Sequence, residues 1–130
     1  YLVNGKRNIL ANACWSSPQQ WVAVWNRSTT LLTHFIDRDA DWMNKYHVWR
    51  MDWDASKICI YLDGELLNEI NSSETQGWNG NTENPFSNDI DGFGHYILLN
   101  LAIGGNGGDP SNSLFPMRYE VDYVRVYQKK

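Results

Sequence analysis

The chain has 130 residues, of which 42% are hydrophobic and 20% are charged, and its formal net charge is -4. This length supports one hydrophobic core and is too short for two domains, so we expect a single domain over residues 1–130. An acidic balance without runs of either sign argues against nucleic acid or an anionic membrane as a partner and favours a neutral ligand.

Apolar residues recur with period two in nearly every segment, and turn residues separate the segments at short intervals, which predicts an all-β chain. The candidate strands in chain order are residues 9–15, 21–25, 31–36, 46–53, 57–62, 66–70, 95–103 and 118–127. Asp63 and Gly64 predict a hairpin with a type I′ turn, because this pair readily adopts positive φ angles. Strands at this spacing are typical of a sandwich or jelly roll.

Residues 71–94 are polar and rich in Asn, Ser, Gly and Asp, which predicts a long surface loop of functional or mobile character. Trp78 within this loop is either a ligand contact or an anchor that packs on the sheet. Cys14 and Cys59 lie in apolar runs without metal-ligand spacing, so we expect two buried thiols in preference to a disulfide.

Membrane and export signals are not visible in the sequence. No window approaches the roughly 20 apolar residues of a membrane span. Residues 1–20 do not show the basic and then apolar pattern of a signal peptide, so we expect either a cytosolic chain or a leader outside this sequence.

The candidate strand HVWRMDW has two faces of different character, because side chains alternate along a strand. One face is core-like and carries His47, Trp49, Met51 and Trp53; the other is polar and carries Val48, Arg50 and Asp52. In a single sheet, Arg50 and Asp52 would be solvated. On the concave sheet of a sandwich they would project into a cleft, where they could pair with each other or bind sugar hydroxyls.

Four motifs follow one another in the order found in family 16 glycoside hydrolases. They are HVWRMDW at 47–53, ICIYLDG at 58–64, HYILLNLAIGG at 95–105 and VDYVRVYQ at 121–128, with Pro85-Phe86 and Phe115-Pro116 between them. The chain therefore resembles the C-terminal half of that family's domain, and Asp52 before Trp53 is similar to its lichenase-like members. The resemblance implies an antiparallel β-sandwich, a concanavalin-like β-jelly roll with an open cleft, of which this chain holds an incomplete part.

The catalytic strand of that family, Glu-x-Asp-x-x-Glu, does not occur in the chain. Retaining hydrolysis needs two carboxylates about 5–5.5 Å apart. The acidic pairs that share a strand face lie in a turn, in a solvated loop or on the closing strand; they are Asp52 with Asp54, the Asp37-Asp39-Asp41 run, and Glu120 with Asp122. We therefore assign no catalytic residue to this chain and expect the isolated chain to be inactive.

In relatives of this kind the catalytic strand closely precedes a segment like residues 1–15, so we expect the missing acids to lie immediately before Tyr1. Loss of an N-terminal half would expose apolar faces and strand edges. We therefore expect the chain to be stable only with a complementing chain or a swapped copy that supplies that half.

The resemblance implies a β-glycan polysaccharide as partner, with neither nucleic acid nor membrane, and no required cofactor. It implies substrate-binding roles for Trp15, Arg50, Asp52 and Asn100, and a structural calcium site at Asp122 with oxygen ligands. For Trp15 the alternative is a place in the core, and for Asn100 it is a buried amide bonded to the backbone. The resemblance also implies a secreted, periplasmic or cell-surface location.

Three functions follow from this reading. The first is a retaining endo-β-glycanase of family 16 acting on laminarin or mixed-linkage β-glucan, with agarase- or porphyranase-like action on galactans as its variant. The second is a non-catalytic carbohydrate-binding β-sandwich that keeps the cleft without the acids. The third is a fragment without independent activity.

Overall fold

The computed structural model describes residues 1–75, 84–87, 94–104 and 108–128. Within these ranges, regular structure consists mostly of short antiparallel strands. In chain order the elements are β1 Leu2–Val3, β2 Lys6–Leu10, β3 Ala13–Ser16, β4 Ala23–Asn26, β5 Thr29–Leu31, α1 Thr33–Ile36, a 3₁₀ turn Trp42–Asn44, β6 Trp49–Trp53, β7 Lys57–Leu62, β8 Glu65–Asn71 and a 3₁₀ turn Ser72–Glu74.

The strands β6, β7 and β8 form an antiparallel sheet with β7 at its centre. Trp53 pairs with Ile58 across β6 and β7, and Ile58 pairs in turn with Ile70 of β8. Asp63 and Gly64 join β7 to β8 with φ angles of 51° and 86°, as a type I′ turn requires. The predicted hairpin is confirmed, and β7 has the predicted bounds.

Two smaller antiparallel sheets contain β1-β2-β5 and β3-β4. The prediction of one strand over residues 9–15 is wrong, because the chain changes its pairing partner between β2 and β3. At this change the Ala11 N–H donates to the Ser28 carbonyl at 3.0 Å, and the Asn12 side-chain oxygen accepts the Ser28 N–H at 3.1 Å. A change of partner leaves the alternation of apolar residues intact, so the pattern alone cannot reveal it.

The prediction of a strand over residues 31–36 is also wrong, since the chain forms β5 and then the single helical turn α1. Leu32, Phe35 and Ile36 have the i, i+3, i+4 spacing that puts side chains on one helix face. Phe35 is buried, and its ring stacks on Trp42 with 4.9 Å between centroids. This local packing outweighs the intrinsic strand preference of the segment.

The hydrophobic core lies between the β3-β4 sheet and the β6-β7-β8 sheet. Its buried members are Trp15, Ile58 and Ile70, and the partly buried side chains packed on them are Ala13, Trp53, Ile60 and Phe86. β3, β7, β8 and a segment beyond β8 therefore meet at one apolar cluster.

Polar contacts also join these two sheets. The Asn68 side-chain amide on β8 donates to the Ala11 carbonyl at 2.7 Å and to the Asn26 side-chain oxygen at 2.8 Å. The Ser28 hydroxyl donates to the Leu67 carbonyl at 2.5 Å. Because both amide hydrogens of Asn68 are used, this partly buried side chain fixes the position of β8 relative to β4.

Much of the predicted surface loop over residues 71–94, including Trp78, lies outside the described residues. Within the described part, the Thr75 hydroxyl donates to the Asn84 side-chain oxygen at 2.7 Å, and the Phe86 N–H donates to the same oxygen at 2.9 Å. These bonds hold Phe86 against the core. This portion of the segment is thus anchored to the sheets.

The prediction of strands over residues 95–103 and 118–127 is wrong for the structure, which shows no strand in the described residues 94–104 and 108–128. A strand needs a neighbour that takes up its backbone N–H and C=O groups, and none of the described strands pairs with these segments. Their apolar side chains are exposed, Tyr96 by 85% and Tyr127 by 82%. The described residues therefore form three antiparallel sheets, while a closed sandwich and a single domain stay predictions.

The two cysteines are both free. Cys59 is buried as predicted, but Cys14 is exposed, because it lies on the face of β3 opposite to that of the buried Trp15. In the described ranges no helix has the length and apolar character needed to cross a membrane.

Candidate functional site

Arg50 and Asp52 lie on the same face of β6, as predicted, and form an ion pair with 3.2 Å between Nε and Oδ1. The register of the sheet puts Tyr61 directly across from Arg50, and the guanidinium carbon lies 4.0 Å from the centre of the Tyr61 ring. Both members of the ion pair are about half exposed. The surface thus combines solvent-exposed donors and acceptors with a partly buried aromatic ring.

The opposite face of β6 is less core-like than predicted. Trp53 packs on the core and His47 is partly buried, but Trp49 is 51% exposed and Met51 is also exposed. Along β6 only the end that meets Ile58 and Phe86 reaches the apolar cluster. The core assignment is therefore wrong for Trp49 and Met51.

Trp15 has a place in the core. Its side chain is only 9% exposed, and its ring meets Phe86 edge to face with 6.4 Å between centroids. It also contributes to the wall of an open cavity of about 570 Å³ beside the β3-β4 hairpin. Sugar stacking by Trp15 stays a prediction, limited to the part of the ring that lines this cavity.

The turn of the β3-β4 hairpin presents Trp21, a residue that the sequence reasoning did not select. Its side chain is 93% exposed and its φ angle is 65°, a left-handed conformation that costs a non-glycine residue about 1–2 kcal/mol. The Ser17 N–H donates to the Val22 carbonyl at 3.0 Å and holds the turn closed around it. In the sequence, the feature that indicates an exposed Trp21 is its position directly after the polar turn SSPQQ.

Asn100 and Asp122 lie in the segments without strands and are exposed. Asp122 is close enough to Tyr46 to help raise the pKa of that phenol, although the main cause is the hydrogen bond from Tyr46 to Glu120. Among the described residues no group of three or more His, Cys, Asp or Glu side chains could hold a metal, so calcium at Asp122 stays a prediction. Of the predicted site residues, the structure brings Arg50 and Asp52 together.

His47 is the centre of a second cluster at the start of β6. Its Nδ1 lies 2.6 Å from an Asp63 carboxylate oxygen and its Nε2 lies 2.6 Å from the Trp42 carbonyl oxygen. Both partners are oxygens that can accept a hydrogen bond, so each ring nitrogen of His47 faces an acceptor. Burial raises the pKa of Asp63, but the bonds from the Val48 N–H and His47 outweigh it and hold that pKa below its usual value.

Several of the described carboxyl groups accept hydrogen bonds that lower their pKa values. Every described carboxyl group whose pKa departs from its usual value has a lowered pKa. The side chains whose hydrogen bonds are the main cause are Lys45 for Asp39, Ser56 for Asp54, His34 for Glu65, Lys57 for Glu69 and Ser111 for Asp109. A glycosidase acid needs a raised pKa in order to hold its proton near neutral pH. The described carboxyl groups with lowered pKa values therefore favour the ionised form, which accepts hydrogen bonds.

These features define a mostly β protein of antiparallel sheets with exposed aromatic and paired polar side chains. The chain is 33% identical over 116 residues to the clotting factor G alpha subunit of Tachypleus tridentatus, covering 88% of this chain and 14% of that protein. It is 33% identical over 92 residues to the glucan endo-1,3-beta-glucosidase A1 of Niallia circulans, covering 67% of this chain and 13% of that protein. No family model matches the chain, and no solved structure matches it.

Proposed function

We propose that this chain is the C-terminal half of a family 16-type glycoside hydrolase domain that binds β-1,3- or mixed-linkage β-glucan. The main observation in support of this proposal is the 33% identity of the chain, over 67% of its length, to a protein named as a glucan endo-1,3-beta-glucosidase. The order of the four sequence motifs, from HVWRMDW to VDYVRVYQ, supports the same family. In this proposal hydrolysis proceeds with retention and uses a Glu-x-Asp-x-x-Glu strand that the chain does not contain.

The paired side chains on β6 support a neutral polyhydroxylated ligand. Arg50 has further N–H donors beyond the one facing Asp52, and Asp52 has a second carboxylate oxygen, so both can also bond sugar hydroxyls. Asn100 would border the same cleft once its segment is paired. A jelly roll, a calcium at Asp122 and a secreted or cell-surface location belong to this proposal as well.

The unpaired segments support the missing half as a partner. Residues 94–104 and 108–128 carry many exposed apolar side chains, including Ile97, Leu99, Val124 and Val126. Apolar exposure of this extent favours strands from a complementing chain, from a swapped copy or from further sequence of the same protein.

A non-catalytic carbohydrate-binding domain is the second candidate. The exposed Arg50–Asp52 pair beside the Tyr61 ring supports it, because these groups can bind sugar hydroxyls without any bond cleavage. The two candidates share the ligand and differ in turnover.

Binding and reducing-sugar assays on laminarin, lichenan and agarose test the proposal. We expect the 130-residue chain to bind laminarin or lichenan and to release no reducing sugar unless the complementing half is added. Turnover with that half present supports the hydrolase, and binding without turnover supports the second candidate. Hydrolysis by the chain alone would refute the absence of catalytic residues, and binding to agarose alone would assign the site to galactans.

A further inference from the structure

The outer face of the β3-β4 hairpin carries small side chains between two exposed indoles. Cys14 pairs with Trp25 and Ser16 pairs with Ala23 across the two strands, so these four side chains share a face. Trp15 points to the other face and into the core. Trp25 is 51% exposed at one end of the outer face, and Trp21 lies at the hairpin turn. We refer to Cys14, Ser16, Ala23, Trp21 and Trp25 as the hairpin trough.

The indole of Trp21 is presented to solvent by a turn with defined hydrogen bonds. Ser17 and Val22 close the turn through backbone bonding, and the Gln19 N–H donates to the Ser17 hydroxyl oxygen at 3.1 Å. A bulky residue rarely adopts a positive φ angle, and such outliers concentrate at ligand-binding sites. With 93% of its side chain exposed, Trp21 is not covered by any of the described residues.

The lining of the adjacent cavity indicates the chemistry of the occupant. It contains no charged residue and consists of Cys14, Trp15, Ser16, Gln20, Trp21, Val22 and Ala23. Flat aromatic faces suit the C–H faces of a pyranose ring, and the Ser16 hydroxyl and Gln20 amide can bond its hydroxyls. A neutral lining fits a neutral glycan better than a phosphorylated or acidic ligand.

We infer that the hairpin trough binds the β-glucan chain, with Trp21 and Trp25 as two separate stacking platforms over a floor of small side chains. This inference rests on the proposed function and adds a binding surface distinct from the Arg50–Asp52 pair on β6. The Arg27 guanidinium, 5.7 Å from the centre of the Trp25 ring, helps to orient that platform.

Affinity electrophoresis in laminarin tests the platforms with a matched control. Trp21→Ala and Trp25→Ala should each weaken laminarin binding by the 130-residue chain about tenfold, since stacking of a ring on an aromatic side chain contributes strongly to binding. Trp49→Ala removes an indole with the same 51% exposure as Trp25 from β6 and should change the affinity less than about twofold. Far-UV circular dichroism of each variant reports whether the sheets are retained.

Alkylation of Cys14 by N-ethylmaleimide supplies a second readout that does not depend on a substitution. Cys14 is exposed in the floor of the trough, whereas Cys59 is buried. Laminarin should therefore slow the modification of Cys14 several-fold, and dextran, an α-glucan, should not. Peptide mapping identifies the thiol that reacts.

The two proposals fail in different ways. If the wild-type chain binds none of the β-glucans, either alone or together with the complementing half, both the proposed function and the trough are overturned. If it binds laminarin while Trp21→Ala and Trp25→Ala bind equally well and Cys14 stays reactive, only the trough is overturned. Loss of binding in both variants with retained sheets, together with protection of Cys14, supports the trough.

Discussion

The Nδ1 atom of His47 lies 2.6 Å from Oδ2 of Asp63, while the other carboxylate oxygen accepts the Val48 N–H at 2.8 Å. Asp63 belongs to the turn between β7 and β8, and His47 and Val48 lead into β6. The His47 ring also stacks on Trp42 with 3.8 Å between centroids. One carboxylate thus fixes the entry of β6 to the β7-β8 turn, which lies at the same end of the sheet.

Asp63→Asn should destabilise the fold by about 1 kcal/mol near pH 6, a modest value because Asp63 is partly exposed. The folded pKa of Asp63 lies below the unfolded value of 3.8, so its contribution is present above that pH and is lost as the pH falls through the folded pKa. The difference in unfolding free energy between wild type and Asp63→Asn should therefore shrink as the pH falls below 3.8 and through the folded pKa. Urea unfolding followed by tryptophan fluorescence at several pH values measures it.

The exposed Asp37, just after α1, provides the control for this experiment. Asp37→Asn should change the free energy of unfolding by less than about 0.5 kcal/mol. A constant difference between wild type and Asp63→Asn over the acidic range would contradict the role assigned to the Asp63 carboxylate.

Local turn residues predict part of this fold well. The remaining elements depend on contacts between distant residues, which the local sequence does not specify. Asp63-Gly64 specifies its own φ angles, so the hairpin follows from two residues. Leu32, Phe35 and Ile36 fit either an extended or a helical spacing, and contact with Trp42 decides between them. Residues 95–103 have the composition of a strand, but strand formation depends on a neighbour that the described residues do not supply.

Trp15→Ala should destabilise the folded sheets by about 3–5 kcal/mol, because it removes the largest buried side chain of the core cluster. Trp15→Phe should cost less, since the smaller ring can still meet Phe86 edge to face. Urea unfolding compares both variants with wild type. Trp49→Ala is the matched control and should stay within about 0.5 kcal/mol of wild type. A Trp15→Ala variant of wild-type stability would remove Trp15 from the core.

The candidate site was predictable where alternation along one strand sufficed. Arg50 and Asp52 share a face because they are two residues apart, and their ion pair follows from that spacing. Trp21 was not predictable in the same way, since residues 21–25 read as a strand and its exposure arises from a left-handed turn. Cys14 and Trp15 differ in burial because neighbouring residues of a strand lie on opposite faces. Which of the two faces meets the core depends on the pairing of β3 with β4, which the sequence pattern does not reveal.

The 130-residue chain on its own should bind the dye ANS and associate at high concentration, because the described parts of residues 94–128 expose many apolar side chains. The double variant Ile97→Lys, Val126→Lys should bind less ANS and associate less, while the hydrogen exchange of β7 stays unchanged. ANS fluorescence measures the dye binding, and sedimentation velocity measures the association. A monomer that binds no ANS would contradict the expectation of a complementing half.

Arg50→Lys should weaken laminarin binding three- to tenfold, which corresponds to about 0.7–1.4 kcal/mol. Lysine keeps the positive charge but loses the planar guanidinium group, which bonds Asp52 and whose central carbon lies 4.0 Å from the centre of the Tyr61 ring. Stability should change by less than about 0.5 kcal/mol, since the ion pair is about half exposed. Isothermal titration calorimetry with laminarin measures the affinity, and Arg38→Lys, whose guanidinium bonds Glu65 away from β6, is the matched control. Unchanged affinity in Arg50→Lys would mean that the positive charge alone, and not the geometry around Arg50, governs binding, and equal losses in both variants would mean that the effect is not specific to Arg50.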